Sequence, residues 1–433
     1  MSLPQDAAKM ARDNGIETRK LANNSFNTDK IFQIGQGEFI GRNNTQTGNG
    51  NVGATQSYPD ISLTSALSAP FNATTAWRSL SAYINQVDNT NLQNTRLSTA
   101  QTFGSFPGTA AFCGGVVAPN GYVYLVPAFV SKYYKINPND NSVTSFGTTP
   151  WNGVQLGSFH GGVLAPNGKI YFIPAATSMC YGIDPSNDTV FSFGTFTGNV
   201  IANNTTLYIE GLVGPNGKIY CFPSRSSLCQ VIDPTNNTVQ SIGTFVQSAN
   251  GNGGTLAPNG LIYMNADYNN VIKVIDPSNN TVTAVITVAA SLGSVAAFNG
   301  TVAPNGKIYC SGTSTYGMII DPSNNTITSF GTFQYNQTDA RYGGRSVLLP
   351  NGLIYVFGMS YTTFAHLIDP SNNTVTSIYV PGSAATHSYH GGVQALNGKL
   401  FYVPHAATNS VVVSFVNNNY FNQNYILSPF AKP

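Results

Sequence analysis

Cys113, His160 and His390 carry the greatest chemical potential in this chain. Aligned on a recurring Asn-Gly pair, they occupy one position of a repeated unit, at the start of its first strand. One thiolate and two imidazoles form a plausible zinc set that still lacks a fourth ligand. No compact ligand spacing accompanies them, so the alternative is three polar residues that bond water. Glu210, the one Glu after residue 38, adjoins the same position in another copy. With His160 and His390 it could serve a lyase or hydrolase, which needs a base and an orienting partner. A glycosidase would need two placed carboxylates, and most Asp residues here fall in turns. Neither a G-x-S-x-G elbow nor a phosphate-cradling glycine loop occurs. The expectation is no enzyme and no cofactor, with Cys113, His160 and His390 as the candidate metal set.

The elements that position these residues are repeats. Asn-Gly pairs begin at Asn120, Asn167, Asn216, Asn259, Asn305, Asn351 and Asn397, spaced 47, 49, 43, 46, 46 and 46 residues apart. Each copy reads as strand A ("GGVLAP"), a turn, strand B ("KIYFIP"), a variable loop, strand C ("CYGID"), a turn, and strand D ("TVFSFG"). In "APNG" and "DPSNNT", Pro pre-sets φ, Asp bonds amides two residues on, and Asn and Gly accept the left-handed region. Strand B is apolar on both faces, as a sheet sandwiched between two neighbours requires. Seven such units predict an all-β fold, a seven-bladed β-propeller of four-stranded blades, with an N-terminal extended or partly helical arm. The pattern "PNGKIYC…IIDPSNNTITSFGTF" resembles the YVTN-type seven-bladed repeats of bacterial and phage surface proteins, over roughly residues 103 to 416. That resemblance implies the architecture; such repeats share no catalytic set.

A ring needs a clasp. "STAQTFGSF" resembles a strand D, so a strand around Gln101 to Phe103 is expected to complete the seventh blade, with Tyr420 to Leu427 as the competing candidate. Residues 1–100 read as an attachment arm and 101–433 as the propeller. Within the arm, residues 76–97 could form one helix. Five cysteines without framework spacing read as small core fillers.

Composition narrows the partners. Only 8% of residues are charged and the net charge is +2, which argues against nucleic acid. No run of 18 apolar residues predicts membrane insertion, and "MSLPQDAAKMARDNG" lacks the apolar core of a secretory signal. The A–B and C–D turns share one propeller face and are nearly uniform; the B–C and D–A loops share the other and diverge. The divergent face is therefore the expected binding surface. Its candidates are Lys132, Tyr133, Trp151, Arg225, Tyr268, Tyr316, Arg341, Tyr342, Arg345, Tyr361, His387, Tyr389 and His405, residue types suited to glycan stacking and adaptable recognition.

These readings lead to a non-enzymatic phage virion protein, a decoration or tail-fibre component. Its arm would dock on other virion proteins and its propeller would bind a host-surface glycan or receptor. Localisation would be the virion surface after host lysis, and a homo-oligomer is compatible with this. The alternatives are a bacterial surface adhesin or lectin, and a propeller lyase or hydrolase using His160, His390 and Glu210.

Overall fold

The computed structural model describes residues 97–108, 110–150, 158–196, 207–245, 253–264, 270–288, 300–311, 316–333, 345–358, 364–380 and 388–415. They form seven four-stranded antiparallel sheets. The inner strands touch one another in ring order, and the last of them, Tyr389–Gln394, touches the first, Phe112–Val117. The chain is thus a closed seven-bladed propeller, as the repeat spacing predicts. Among the described residues no helix is long and apolar enough to cross a membrane.

Burial explains why the blades need one another. The second strand of each blade is buried at every position, as in Val123–Pro127, Ile170–Pro174 and Leu400–Pro404. A sheet apolar on both faces has no solvated side, so it is stable only between neighbours. Seven apolar clusters fill the seven interfaces. One joins Val116, Tyr124 and Tyr133 of blade one to Phe159, Phe172 and Ile183 of blade two. Another closes the ring, packing Ala395, Phe401 and Val412 against Phe112, Val123 and Ile136. All five cysteines are free and buried, consistent with small core residues.

The repeated turns hold neighbouring blades together as well as closing their own hairpins. Asn167 Nδ2 donates to Tyr171 Oη (2.9 Å) and to the Pro234 carbonyl in the next blade (2.8 Å). Tyr171 Oη in turn donates to Asn237 Oδ1 (2.8 Å). The same latch recurs with Asn120 and Tyr124 on Pro185 and Asp188. It recurs again with Asn216 and Tyr220 on Pro277 and Asn280. Asn259 with Tyr263, and Asn305 with Tyr309, continue it around the ring. The receiving Asn residues sit at positive φ (Asn237 58°, Asn280 59°, Asn325 57°, Asn373 61°), which Asn tolerates better than most side chains. Within the turns Asp184, Asp233, Asp276, Asp321 and Asp369 each accept from the amide two residues on, as expected.

The latch stops where the seventh blade is assembled from both ends of the fold. Its order from rim to axis is Leu97–Phe103, Ser410–Phe415, Leu400–Pro404, Tyr389–Gln394. The closing strand is therefore the N-terminal one, with Phe103 opposite Ser410 and Ala100 opposite Val413. Phe103 also packs edge-on against Phe401, at 5.6 Å between ring centroids. No C–D hairpin exists in this blade, so Tyr355 of blade six pairs with the Tyr402 hydroxyl instead (2.8 Å). The segments 1–96 and Tyr420 to Leu427 lie outside the described residues, as does the expected helix except for Leu97, which begins the closing strand.

Tyr171→Phe removes one latch hydroxyl while keeping the buried ring. Stability is expected to fall by about 1 kcal/mol, read as a lowered urea midpoint with unchanged slope.

Candidate functional site

The inner strands share a local irregularity. Pairing with the second strand shifts register between Phe112 and Gly115, Phe159 and Gly162, Tyr208 and Gly211, and Tyr389 and Gly392. In these four blades the bulge places one residue at positive φ and re-aims its neighbours. Six residues before the Asn-Gly pair, this residue is Gly114 (φ 125°), Gly161 (98°) and Gly391 (73°), and Gly253 (87°) stands at the same offset in blade four. In blade three it is Glu210, at φ 63°. Arg345 stands at the same offset in blade six.

Directly before three of these glycines come Cys113, His160 and His390. Blades seven, one and two are neighbours in the closed ring, so the three side chains converge. Their potential ligand atoms all lie within 4.8 Å of one another. The His160 and His390 rings meet edge-on at 4.8 Å, and His405 lies 5.7 Å from His390. The inner strand starts at the D–A loop, so the cluster sits at the end of the axial channel that faces the divergent loops.

Arg345 reaches into this group from blade six. Its Nη2 donates to the Glu210 carboxylate and to the Cys113 carbonyl (3.3 Å). Both charged side chains are only 14% exposed. Glycine makes room for them: a Cβ on Gly114 would meet Arg345 Nη1 at 2.5 Å, one on Gly391 would meet Arg345 Cδ at 2.6 Å, and one on Gly161 would meet Glu210 Cα at 2.9 Å. These glycines permit close approach where the inner strands converge.

Electrostatics keep the imidazoles neutral. Burial, then the Arg345 charge and His405, push His160 down to about 3. Burial, then His160, Arg345 and His405, hold His390 well below its ordinary value. Burial pushes the Cys113 thiol up to about 12, opposed by Arg345, which favours the thiolate. Arg345 itself falls to about 10 through burial, and so stays charged at neutral pH. Neutral imidazole and thiolate are the ligand forms of these side chains. Among the described residues, His160 Nδ1 and His390 Nδ1 are buried without a hydrogen-bond partner. The donor set fits a metal ion. Tetrahedral bonds of about 2.0–2.3 Å place ligands roughly 3.5 Å apart, so closing movements on the order of 1 Å suffice.

The other sequence candidates are distributed differently. Lys132 and Tyr316 are exposed, and Arg225 is half-buried. Tyr133 is not a surface residue: it is fully buried and stacks on Phe172 at 5.7 Å. Tyr389 is likewise core, packed on Tyr402. Both lie on strands sandwiched between neighbouring blades, in the inter-blade apolar clusters, which removes them from the binding set. Arg345 belongs to the axis rather than to a loop, and His405 joins the histidine cluster instead of standing apart. Trp151, Tyr268, Arg341, Tyr342, Tyr361 and His387 lie outside the described residues. Arg345 was the residue that sequence reasoning misplaced; its offset from Asn351, equal to that of Glu210 from Asn216, was the available signal.

Comparisons give a consistent fold. The chain resembles virginiamycin B lyase from Staphylococcus aureus, at 14% identity and TM-score 0.59, over 73% of this chain and 99% of that one; that structure is a catalytically inactive histidine-to-alanine form with quinupristin. A streptogramin B lyase structure matches at 12% identity and TM-score 0.60, over 73% and 97%. A fungal alcohol oxidase in complex with copper matches at 12% and 0.54, over 73% and 76%. At these identities the likeness shows the propeller fold, which lyases, oxidases and WD40 proteins share. No protein-family model and no curated protein matches the chain.

These findings correct the functional expectation. The non-enzymatic part of the virion, capsid-decoration or tail-fibre expectation rests on Cys and His residues that lack compact spacing and on scarce carboxylates. Ring closure supplies the proximity that linear spacing hid, and it adds an enclosed Arg–Glu pair.

Two outcomes follow for the metal-free protein. Both histidines have folded values below the unfolded value of about 6.5, so only the unfolded chain takes up protons as pH falls through that range. Stability is expected to be level above about pH 6.5 and to drop below it, by on the order of 1 kcal/mol per histidine between pH 7 and 5. Urea midpoints across pH check this, and His160→Gln should flatten the slope. Gly161→Ala should lower stability by about 1–3 kcal/mol. Gly168→Ala, at φ 78° with nothing within 4 Å, should lose less, as paired denaturation curves would show.

Proposed function

We propose that the chain is a propeller enzyme of the lyase or hydrolase type, working through a metal ion held by Cys113, His160 and His390. The observation that carries this reading is the convergence of three ligand atoms from three blades within 4.8 Å. Three protein ligands leave a fourth position open, the arrangement of catalytic rather than structural sites. Thiolate and imidazole donors suit zinc or copper and not magnesium or calcium. A metal here would supply Lewis-acid polarisation of a substrate oxygen or activation of a water.

The chain's own residues supply the rest. Arg345 is fixed by Glu210 and the Cys113 carbonyl, so its charge is preorganised beside the Cys–His–His cluster and would stabilise negative charge developing there. Lys132 and Tyr316, exposed side chains of the divergent face, would help select a substrate. The Staphylococcus aureus lyase, catalytically inactive as a histidine-to-alanine form, supports a histidine-dependent chemistry on this fold. Within this reading the repeats are of the YVTN type that their turns resemble.

The test is direct. The purified protein should bind one zinc ion per chain, measured by elemental analysis after dialysis. Cys113→Ser and His160→Ala should each abolish that stoichiometry without unfolding the ring. Turnover on a panel of lactones, esters and polysaccharides should fall by at least 10²-fold in His160→Ala. A folded protein that never retains metal would end the metal reading.

A further inference from the structure

We infer that Glu210 is a positioning residue for His160: its carboxylate, anchored by Arg345, accepts a hydrogen bond from Nδ1–H and so leaves Nε2 as the nitrogen free to join the other two ligands. The choice of ring nitrogen stands on geometry alone; its consequence for metal affinity rests on the metal reading above.

Two observations converge on this pair. His160 Nδ1 is buried and has no hydrogen-bond partner among the described residues. The Glu210 carboxylate is the acid that faces it, with Oε1 3.9 Å away. A small rotation of either side chain brings that separation to hydrogen-bond length, about 2.8 Å for a charge-assisted bond. An unpaired buried N–H is costly, so the contact is favoured once the ring is fixed.

Backbone strain gives the second, independent reason. Glu210 occupies the bulge position that Gly114, Gly161, Gly253 and Gly391 fill in other blades, at φ 63°. A non-glycine residue there loses roughly 1 kcal/mol or more. Gly161, next to His160, clears the space: its missing Cβ would meet Glu210 Oε2 at 3.1 Å and Cα at 2.9 Å. Arg345 then holds the carboxylate in place. A structural ion pair alone would not need its acid on a strained bulge facing an orphaned imidazole nitrogen.

The chemistry that results is specific. Metal-bound histidines commonly donate their second ring N–H to a carboxylate, which fixes tautomer and orientation, and loss of that partner weakens binding about 10–100-fold. The Glu210–Arg345 pair thus selects a tautomer.

The full-length chain, labelled with 15N at histidine, reports the tautomer through long-range 15N–1H correlations. Arg345→Met is the reference, because it leaves no buried cation once Glu210 is removed. In Arg345→Met, His160 should keep Nδ1–H; in Arg345→Met with Glu210→Gly it should lose that preference. Zinc affinity, measured by chelator competition, should fall about 10–100-fold between the two variants. The double variant regains the bulge glycine, so its urea midpoint should not drop below the reference. A Glu210-independent tautomer in the folded double variant overturns the inference, even if the wild-type chain binds zinc. A Glu210-dependent tautomer in a chain that binds no zinc upholds the positioning role and removes only the metal reading.

Discussion

Every blade of this protein is apolar on both faces, and that single constraint organises the rest. A sheet of this kind has no solvated side, so the only stable arrangement is one in which the last sheet covers the first. Closure is enforced twice. Apolar clusters fill each of the seven interfaces, and the Asn–Tyr latch ties blades one to five each to the turn of the blade that follows. The final blade, lacking that turn, closes instead through an N-terminal strand antiparallel to Ser410–Phe415. Hydrophobic burial supplies the driving force; the directional hydrogen bonds set the rotation of one blade relative to the next.

Closure also explains how a site arises from residues far apart in sequence. Cys113, His160 and His390 occupy equivalent positions in three blades, and the ring makes equivalent positions neighbours. A substitution at such a position changes the axis without disturbing the hairpins, because the turns and second strands carry the stability. The glycines at the bulge show the converse. Where an arginine must cross the axis, glycine is found at 114 and 391, since even a methyl group would meet the guanidinium or its stem.

Much of the fold was legible because its signals are local and repeated. Asn-Gly spacing, the Asp-Pro turns and the strand between them each announce themselves within a few residues. The closing strand was legible too, as "STAQTFGSF" resembles an outer strand. The latch was not: the same Asn, Tyr and Pro that shape a hairpin also bond across blades, and no single repeat contains both partners. The site was half legible. Repeat alignment placed Cys113, His160, His390 and Glu210 together, but Arg345 follows a divergent stretch and read as a loop residue. Tyr133 and Tyr389 failed for the opposite reason: each adjoins a variable loop, yet its strand is sandwiched between neighbouring blades and neither face is solvated.

The two faces of the disc therefore differ in kind. On the face of the A–B and C–D turns, each residue type is constrained by its own hairpin and by its neighbour's latch, so variation there would loosen two blades at once. At the opposite end, backbone hydrogen bonds such as Ser158 N–H to the Ala128 carbonyl (3.0 Å) and Leu207 N–H to the Ala175 carbonyl (3.0 Å) join neighbouring blades, and these do not dictate a side chain. A strained Glu210 is tolerable at that end because apolar interfaces on both sides hold the blade on which it sits. The Asn–Tyr side-chain latches are concentrated where the sequence is monotonous, which leaves the other end free to hold charges, imidazoles and an uncomfortable backbone. The proposed chemistry stands at the irregular end because the uniform end has no residue to spare.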